Sequence, residues 1–137
     1  MNGAEEHGDK NERTHREGET FHGPGPRVHG ILQGWLLLLL AEEDNHGYRL
    51  VQQLVEELPD DMTPDRGVIY RMLRTLEHEG YVVSTLQTGS GGPARKMYSL
   101  TPSGRSRLDA WHRTAQTRRS VLERFLQRVS RVVGGER

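Results

Sequence analysis

The 137-residue chain is predicted to be mainly α with a small β-hairpin, closed by one long terminal helix. Three observations carry this. Apolar residues recur at helical spacing through Tyr48, Val51, Leu54, Val55 and Leu58, and again through Ile69, Met72, Leu73 and Leu76. Two β-branched and aromatic runs, 81–87 and 95–100, flank a turn of Gly89, Ser90, Gly91, Gly92 and Pro93. A capping sequence, Thr101-Pro102-Ser103-Gly104, then opens a last helix running to about Val133. Helices, a hairpin and a long helix in that order are the parts of a winged helix-turn-helix with a C-terminal dimerisation helix.

Residues 1–26 are rich in Glu, Gly, Arg and His and end in Gly-Pro-Gly-Pro. They lack the apolar content that would offset ordering entropy, so a disordered polar tail is expected. Helix one is expected over 28–42. Asp44-Asn45-His46-Gly47 reads as a turn in which Asn45 or Gly47 supplies a positive backbone angle. Helix two spans about 47–58 and is stopped by Pro59-Asp60-Asp61. Helix three has Thr63 as its N-cap, Pro64 at the first helical position and Asp65 at the positive end of the dipole. Gly80 closes it. The resulting division is a tail over 1–26, a winged helix-turn-helix over 27–101 and a dimerisation helix over 102–134.

Composition narrows the function. With no cysteine, disulfides, thiolate zinc sites and cysteine nucleophiles are excluded. The polar start has no apolar centre of a signal peptide. The apolar stretch 31–41 is about a dozen residues, short of the roughly 20 a membrane span needs. A cytoplasmic protein with no membrane role is expected. Net charge is zero, but its distribution is uneven. Residues 31–61 carry seven acids against Arg49, a net of −6, whereas 62–137 carry fourteen cations against six acids, a net of +8. Such a split suits one surface made for a polyanion and another kept from it.

On helix three, Arg66, Arg71 and Arg74 lie on or near the side opposite the apolar stripe, with Gly67, Tyr70 and His78. Guanidinium groups there can bridge guanine O6 and N7, and a Tyr70 hydroxyl can donate to a phosphate. On the hairpin, Gly91-Gly92 before Pro93 allows a tight tip, and Arg95 and Lys96 are expected near its base or edge to meet phosphate or a narrow minor groove. The glycine-rich loop lacks the lysine-serine pair and strand-loop-helix context of a nucleotide-binding loop. No nucleophile is paired with a base, so an enzyme is not expected, and no cofactor is required.

Three segments together resemble one family. They are Asn45-His46-Gly47-Tyr48-Arg49-Leu50, the run Thr63-Pro64-Asp65-Arg66-Gly67-Val68-Ile69-Tyr70-Arg71-Met72-Leu73, and the stretch from Gly91-Gly92-Pro93-Ala94-Arg95-Lys96-Met97-Tyr98 to Ser99-Leu100-Thr101-Pro102-Ser103-Gly104. They are similar to the PadR family of transcriptional regulators, over about residues 28–130. The resemblance implies a dimeric winged helix-turn-helix repressor of the short, single C-terminal helix subgroup. It also implies double-stranded operator DNA as partner, met by Thr63, Arg66, Tyr70, Arg71 and Arg74 and, from the wing, by Arg95 and Lys96. Arg66 stands where many relatives have proline, so base preference does not carry over.

In the last helix Leu108, Trp111, Ala115, Arg118, Leu122, Phe125, Val129 and Val132 alternate at steps of three and four, the seam one helix shows to another. A homodimer and a palindromic site follow. The resemblance further implies an effector cavity between subunits for a small apolar molecule, involving Trp35 and Trp111. Tail histidines His7, His15, His22 and His29 are seven or eight residues apart and form no compact chelate, so metal sensing is the lesser alternative. His46 is expected to pack or cap, and His78 and His112 to be exposed. A winged-helix module for protein contact is the other alternative.

Overall fold

The computed structural model describes residues 26–89 and 91–135, so the expected tail lies outside the described residues except for Pro26. The order is α1 (Pro26–Glu42), β1 (Asn45–His46), α2 (Gly47–Glu57), a 3-10 turn (Asp60–Met62), α3 (Arg66–His78), β2 (Val82–Gln87), β3 (Arg95–Leu100) and α4 (Pro102–Val133). Helix one is described from Pro26, two residues before the predicted start.

α1 sits at the centre. It packs against α2, α3, α4 and β3, which is why its leucine run is apolar on several sides rather than along one stripe. Leu32, Leu36, Leu37 and Leu40 are buried there with Leu50, Val51, Leu54 and Leu58 of α2 and Ile69, Leu73 and Leu76 of α3. Val82 and Tyr98 close the core from the sheet. On α2, Val51, Leu54 and Leu58 are buried as predicted, while Leu50 joins them and Tyr48 and Val55, also expected on that stripe, are exposed.

The expected turn at 44–47 contains a third strand. Asn45 and His46 pair antiparallel with Tyr98 and Met97, so the sheet order is β1-β3-β2 rather than a lone hairpin. A two-residue strand has no periodicity to read. Positive φ falls at Gly80, Gly91 and Gly135 among the described residues, not at Asn45 or Gly47. Gly47 is required for space instead, since a Cβ there would stand 2.9 Å from Cε1 of Tyr70.

The start of α3 also departs from expectation. Asp65, in extended backbone and without a side-chain capping bond, is the N-cap, and Arg66 is the first helical residue. Thr63 closes the preceding 3-10 turn, its hydroxyl donating to the Pro59 carbonyl at 2.9 Å and its N–H to Asp60 at 3.3 Å. Pro59-Asp60-Asp61 therefore folds into a turn of its own and draws Thr63 away from capping.

The end of α3 is as expected. Gly80 adopts φ +84°. Its N–H reaches the Glu77 carbonyl at 3.1 Å, and the Tyr81 N–H reaches back to Leu76 at 2.9 Å. That pair of bonds is a Schellman closure. Thr101 then ties this end to the start of α4. Its hydroxyl donates to Gly80 O at 2.7 Å and accepts from Gly104 N at 2.9 Å, while its own N–H donates to Tyr81 O at 3.1 Å. Gly104 is buried against the Tyr81 carbonyl with no room for a side chain.

α4 divides in two. Through Trp111 it packs on its own domain, and from His112 to Gly135 every described residue is exposed. The Trp111 ring lies on Gly30 and Gly34 of α1, and its Nε1 donates to Gln33 Oε1 at 2.8 Å. Of the predicted seam, Leu108 and Trp111 are therefore partly taken up by their own chain. Leu122, Phe125, Val129 and Val132 remain exposed, and Val121, Leu126 and Val133 widen the stripe beyond the predicted positions.

Replacing Gly104 with alanine should cost about 1–3 kcal/mol of stability, because the backbone of Tyr81 cannot yield as a side chain can. Gly89→Ala, which meets nothing within 4 Å, should stay within about 0.5 kcal/mol. Thermal unfolding of both variants measures the difference.

Candidate nucleic-acid interface

The apolar stripe of α3 faces the core through Ile69, Leu73 and Leu76, and this forces the opposite side outward. Arg66, Gly67, Arg71, Arg74 and His78 are exposed there. Among the described residues Arg66, Arg71 and Arg74 form no ion pair, whereas on α4 Arg113 pairs with Asp109 at 2.5 Å and Arg119 with Glu123 at 4.0 Å. Tyr70 is only half-buried, its ring lying against the bare Cα of Gly47. Thr63 sits just before the helix with its hydroxyl engaged by Pro59.

The wing brings its two cations back toward α2 and α3. Arg95 pairs with Gln87 in the last rung before the tip, on the stretch of β3 that β1 does not cover, so of the expected base or edge it takes the edge. Its Nη1 donates to the Tyr48 hydroxyl at 3.1 Å, and its guanidinium lies 5.2 Å from the Tyr48 ring centre. That ring stacks on His46, with centroids 5.9 Å apart and planes at 14°. His46 lies 3.3 Å through Nδ1 from the Lys96 carbonyl, and since a carbonyl only accepts, Nδ1 carries the proton. His46 thus packs, as expected, and occupies the N-cap position of α2 without a side-chain capping bond.

Glu77, near the end of α3, holds the wing from the other side. One oxygen accepts from the Ser84 hydroxyl at 2.6 Å, and the other lies 3.6 Å from Lys96 Nζ. Sequence reasoning placed Tyr48 in the apolar stripe of helix two and assigned no role to Glu77. The only available signals were a tyrosine after His-Gly and an acid in the last turn of α3. Both act on residues distant in sequence.

Together His46, Gly47, Tyr48, Tyr70, Arg74, Arg95, Lys96 and Tyr98 enclose a cleft of about 350 Å³. Three of these side chains are cationic and none is a carboxylate. Burial pushes the Tyr98 hydroxyl above its ordinary value of 10.0, against the lowering pull of Lys96 and Arg74 and with a further push from Glu77. Its phenol, neutral at physiological pH in any setting, stays neutral further into the alkaline range.

Trp35 and Trp111, expected to line an effector cavity, are both half-buried where α1 lies against the core and α4. Trp111 is seated on its own α1 rather than standing free. Neither ring lines the cleft above or the shallow groove of Val121, Phe125, Val129 and Val133 on α4. Among the described residues no group of His, Cys, Asp and Glu could hold a metal ion, and no helix is long and apolar enough to cross a membrane. The tail histidines His7, His15 and His22 lie outside the described residues. His78 and His112 are exposed, as expected.

With this geometry in hand, similarity to known proteins is consistent. The model of the transcriptional regulator PadR-like family matches residues 36–110. A probable transcriptional regulator of Mycobacterium tuberculosis is 32% identical over 76 residues, 56% of this chain and 40% of that protein. The chain thus spans about two-fifths of the length of that curated relative. A solved PadR-like transcriptional regulator from Bacillus cereus superposes with a TM-score of 0.64 at 27% identity, covering 73% of this chain and 95% of that one. Bacillus subtilis PadR, solved in complex with operator DNA, superposes at 0.54 with 30% identity, covering 59% of this chain and 46% of that one.

The phenolate absorbance attributable to Tyr98, read as the difference from Tyr98→Phe, should reach its half-maximum above pH 10.0. Because the folded value is raised, the associated stability is complete below the free-phenol value and is lost as pH climbs through the folded one. The unfolding midpoint should accordingly fall more steeply above that pH in the parent chain than in Tyr98→Phe.

Proposed function

The chain belongs to the PadR-like family of transcriptional regulators, and on that premise we propose that it is a sequence-specific repressor that binds a palindromic operator as a homodimer. The observation that carries this is the outward side of α3. Arg66, Arg71 and Arg74 are exposed and without carboxylate partners among the described residues, while the opposite side of the same helix is buried. A helix so presented can enter a major groove, where each bidentate arginine contributes about 1–3 kcal/mol of discrimination between bases. Arg95 and Lys96 add phosphate contacts from the wing, and Tyr70 and Thr63 supply register rather than sequence readout. The Bacillus subtilis relative was solved in complex with operator DNA, which supports DNA as the partner.

Dimerisation uses α4. The exposed stripe of Val121, Leu122, Phe125, Leu126, Val129 and Val132 is too long and too apolar for a solvated helix, and a second copy covers it. Ala115 and Arg118 extend the seam toward the domain, and Leu108 and Trp111 lie at its root. A two-fold pair places both α3 helices on one side of a duplex, and repression follows from occupying the promoter. A small apolar effector lodged beside Trp35 and Trp111 acts by changing how α4 leaves α1, and so the spacing of the two reading helices. Such a repressor works in the cytoplasm.

The double variant Arg71→Ala/Arg74→Ala should remain folded, because both side chains are exposed. Its affinity for promoter fragments recovered with the parent protein should fall at least about tenfold. Unchanged affinity with an intact fold would remove α3 as the reader and favour a protein-contact role. Parent binding should also weaken steeply as salt is raised, in proportion to the phosphates neutralised. Leu122→Glu should sediment as a monomer, and a variant that stays dimeric excludes the α4 seam.

A further inference from the structure

We propose that the cleft between α2, α3 and the wing is a seat for a phosphate group, organised by Tyr48 and His46, two residues outside the reading helix and the wing. The proposal rests on the duplex-binding reading above and extends it to side chains that reading does not use.

The first observation is the make-up of the walls. Arg74, Arg95 and Lys96 converge on about 350 Å³ lined also by three tyrosines, with no carboxylate in the lining. Glu77 is not part of the lining; it lies 3.6 Å from Lys96 and accepts from the Ser84 hydroxyl. The cleft therefore favours an anion, and its size suits a phosphate with its neighbouring ester oxygens.

The second observation is preorganisation. A guanidinium at the start of a glycine-tipped strand would ordinarily sample many rotamers. Arg95 is instead held by the Tyr48 hydroxyl at 3.1 Å and by the face of the same ring. Tyr48 is held in turn by its stack on His46, and His46 by the Lys96 carbonyl. Because Tyr48 accepts from Arg95, its own proton remains to be donated, and donation from a cation strengthens it as a donor. An anion entering here meets groups whose ordering entropy has already been lost.

The third observation is the backbone. α2 starts at Gly47 in the wall of the cleft, and its N-cap residue His46 makes no side-chain capping bond. The positive end of the α2 dipole therefore adds to the cationic character of that wall. Tyr98 adds a neutral phenol to the same wall. Arg74 belongs both to the cleft and to the exposed side of α3, which makes the seat continuous with the proposed duplex surface.

The phosphate can come from a DNA backbone or from a free phosphate ester, and the test separates them. Binding of the full chain to a short duplex of arbitrary sequence is measured over a salt series, with inorganic phosphate as a separate probe. Tyr48→Phe keeps the ring and its stack and loses only the hydroxyl. Tyr48→Leu loses both, at a side chain that is already 44% exposed, and thermal unfolding checks that each remains folded. Tyr48→Phe should weaken duplex binding about 3–10-fold, and Tyr48→Leu more, with a shallower salt slope. Arg66→Ala, outside the cleft, is the reference.

If Arg66→Ala weakens duplex binding while both Tyr48 variants bind like the parent, the seat is refuted and the duplex reading stands. If the parent binds no duplex yet binds inorganic phosphate in a Tyr48-dependent way, the seat stands for a free phosphate ester and the duplex reading fails. Binding of neither probe overturns both.

Discussion

The joint between α3 and α4 is the constraint on which the rest of the molecule depends. Thr101 donates to Gly80 and accepts from Gly104, its backbone bonds to Tyr81, and Gly104 leaves no gap beneath that carbonyl. One threonine thus caps the last helix, satisfies the end of the previous one and sets the point where the return strand leaves the sheet. Two helix ends that would each expose unpaired backbone groups satisfy one another. The direction in which α4 leaves the domain is consequently referred to the end of α3, the helix that carries the exposed arginines.

A second set of contacts fixes the same direction from the other side. Trp111 lies on Gly30 and Gly34 and donates to Gln33, and Arg107 Nε donates to the same oxygen at 3.0 Å. The glycines act here by size, letting a flat ring approach the helix. α4 is therefore anchored over its first three turns and free over the remainder. A lever anchored at one end and apolar at the other transmits any change in its angle to whatever covers its far end, which makes the root of α4 the mechanically sensitive place in the domain.

The wing is organised by residues of α2 and α3 as much as by its own strands. Tyr48 holds Arg95, Glu77 holds Ser84 and Lys96, and β1 adds a third strand along β3. A free two-stranded ribbon is marginal in water. Here its cations are positioned before any ligand arrives, and the acidic half of the chain contributes its aromatic residues, not its charge, to that end.

Much of this was legible in the chain order. An apolar run located α1 and periodicity α2 to α4, the β-branched runs located β2 and β3, Gly80 and Thr101 marked their helix ends, and the alternation opposite Ile69 and Leu73 put Arg71 and Arg74 outside. These are local properties, set by backbone sterics and by which side of an element is apolar. What was not legible depended on pairs far apart in sequence. Nothing near Asn45 announces a strand whose partner is Tyr98, nothing near Tyr48 announces Arg95, and Trp111 reads as a seam residue until Gly30 and Gly34 are seen beneath it. Thr63 was misread because its hydroxyl can accept from a helical N–H, as a cap does, or donate to a carbonyl, and only the folded turn selected donation to Pro59. Sequence alone determined the elements and their outward faces, since each follows from contacts within a few residues. Tertiary structure alone decided what those faces enclose, since a cleft exists only where chain segments about fifty residues apart are brought within hydrogen-bond distance.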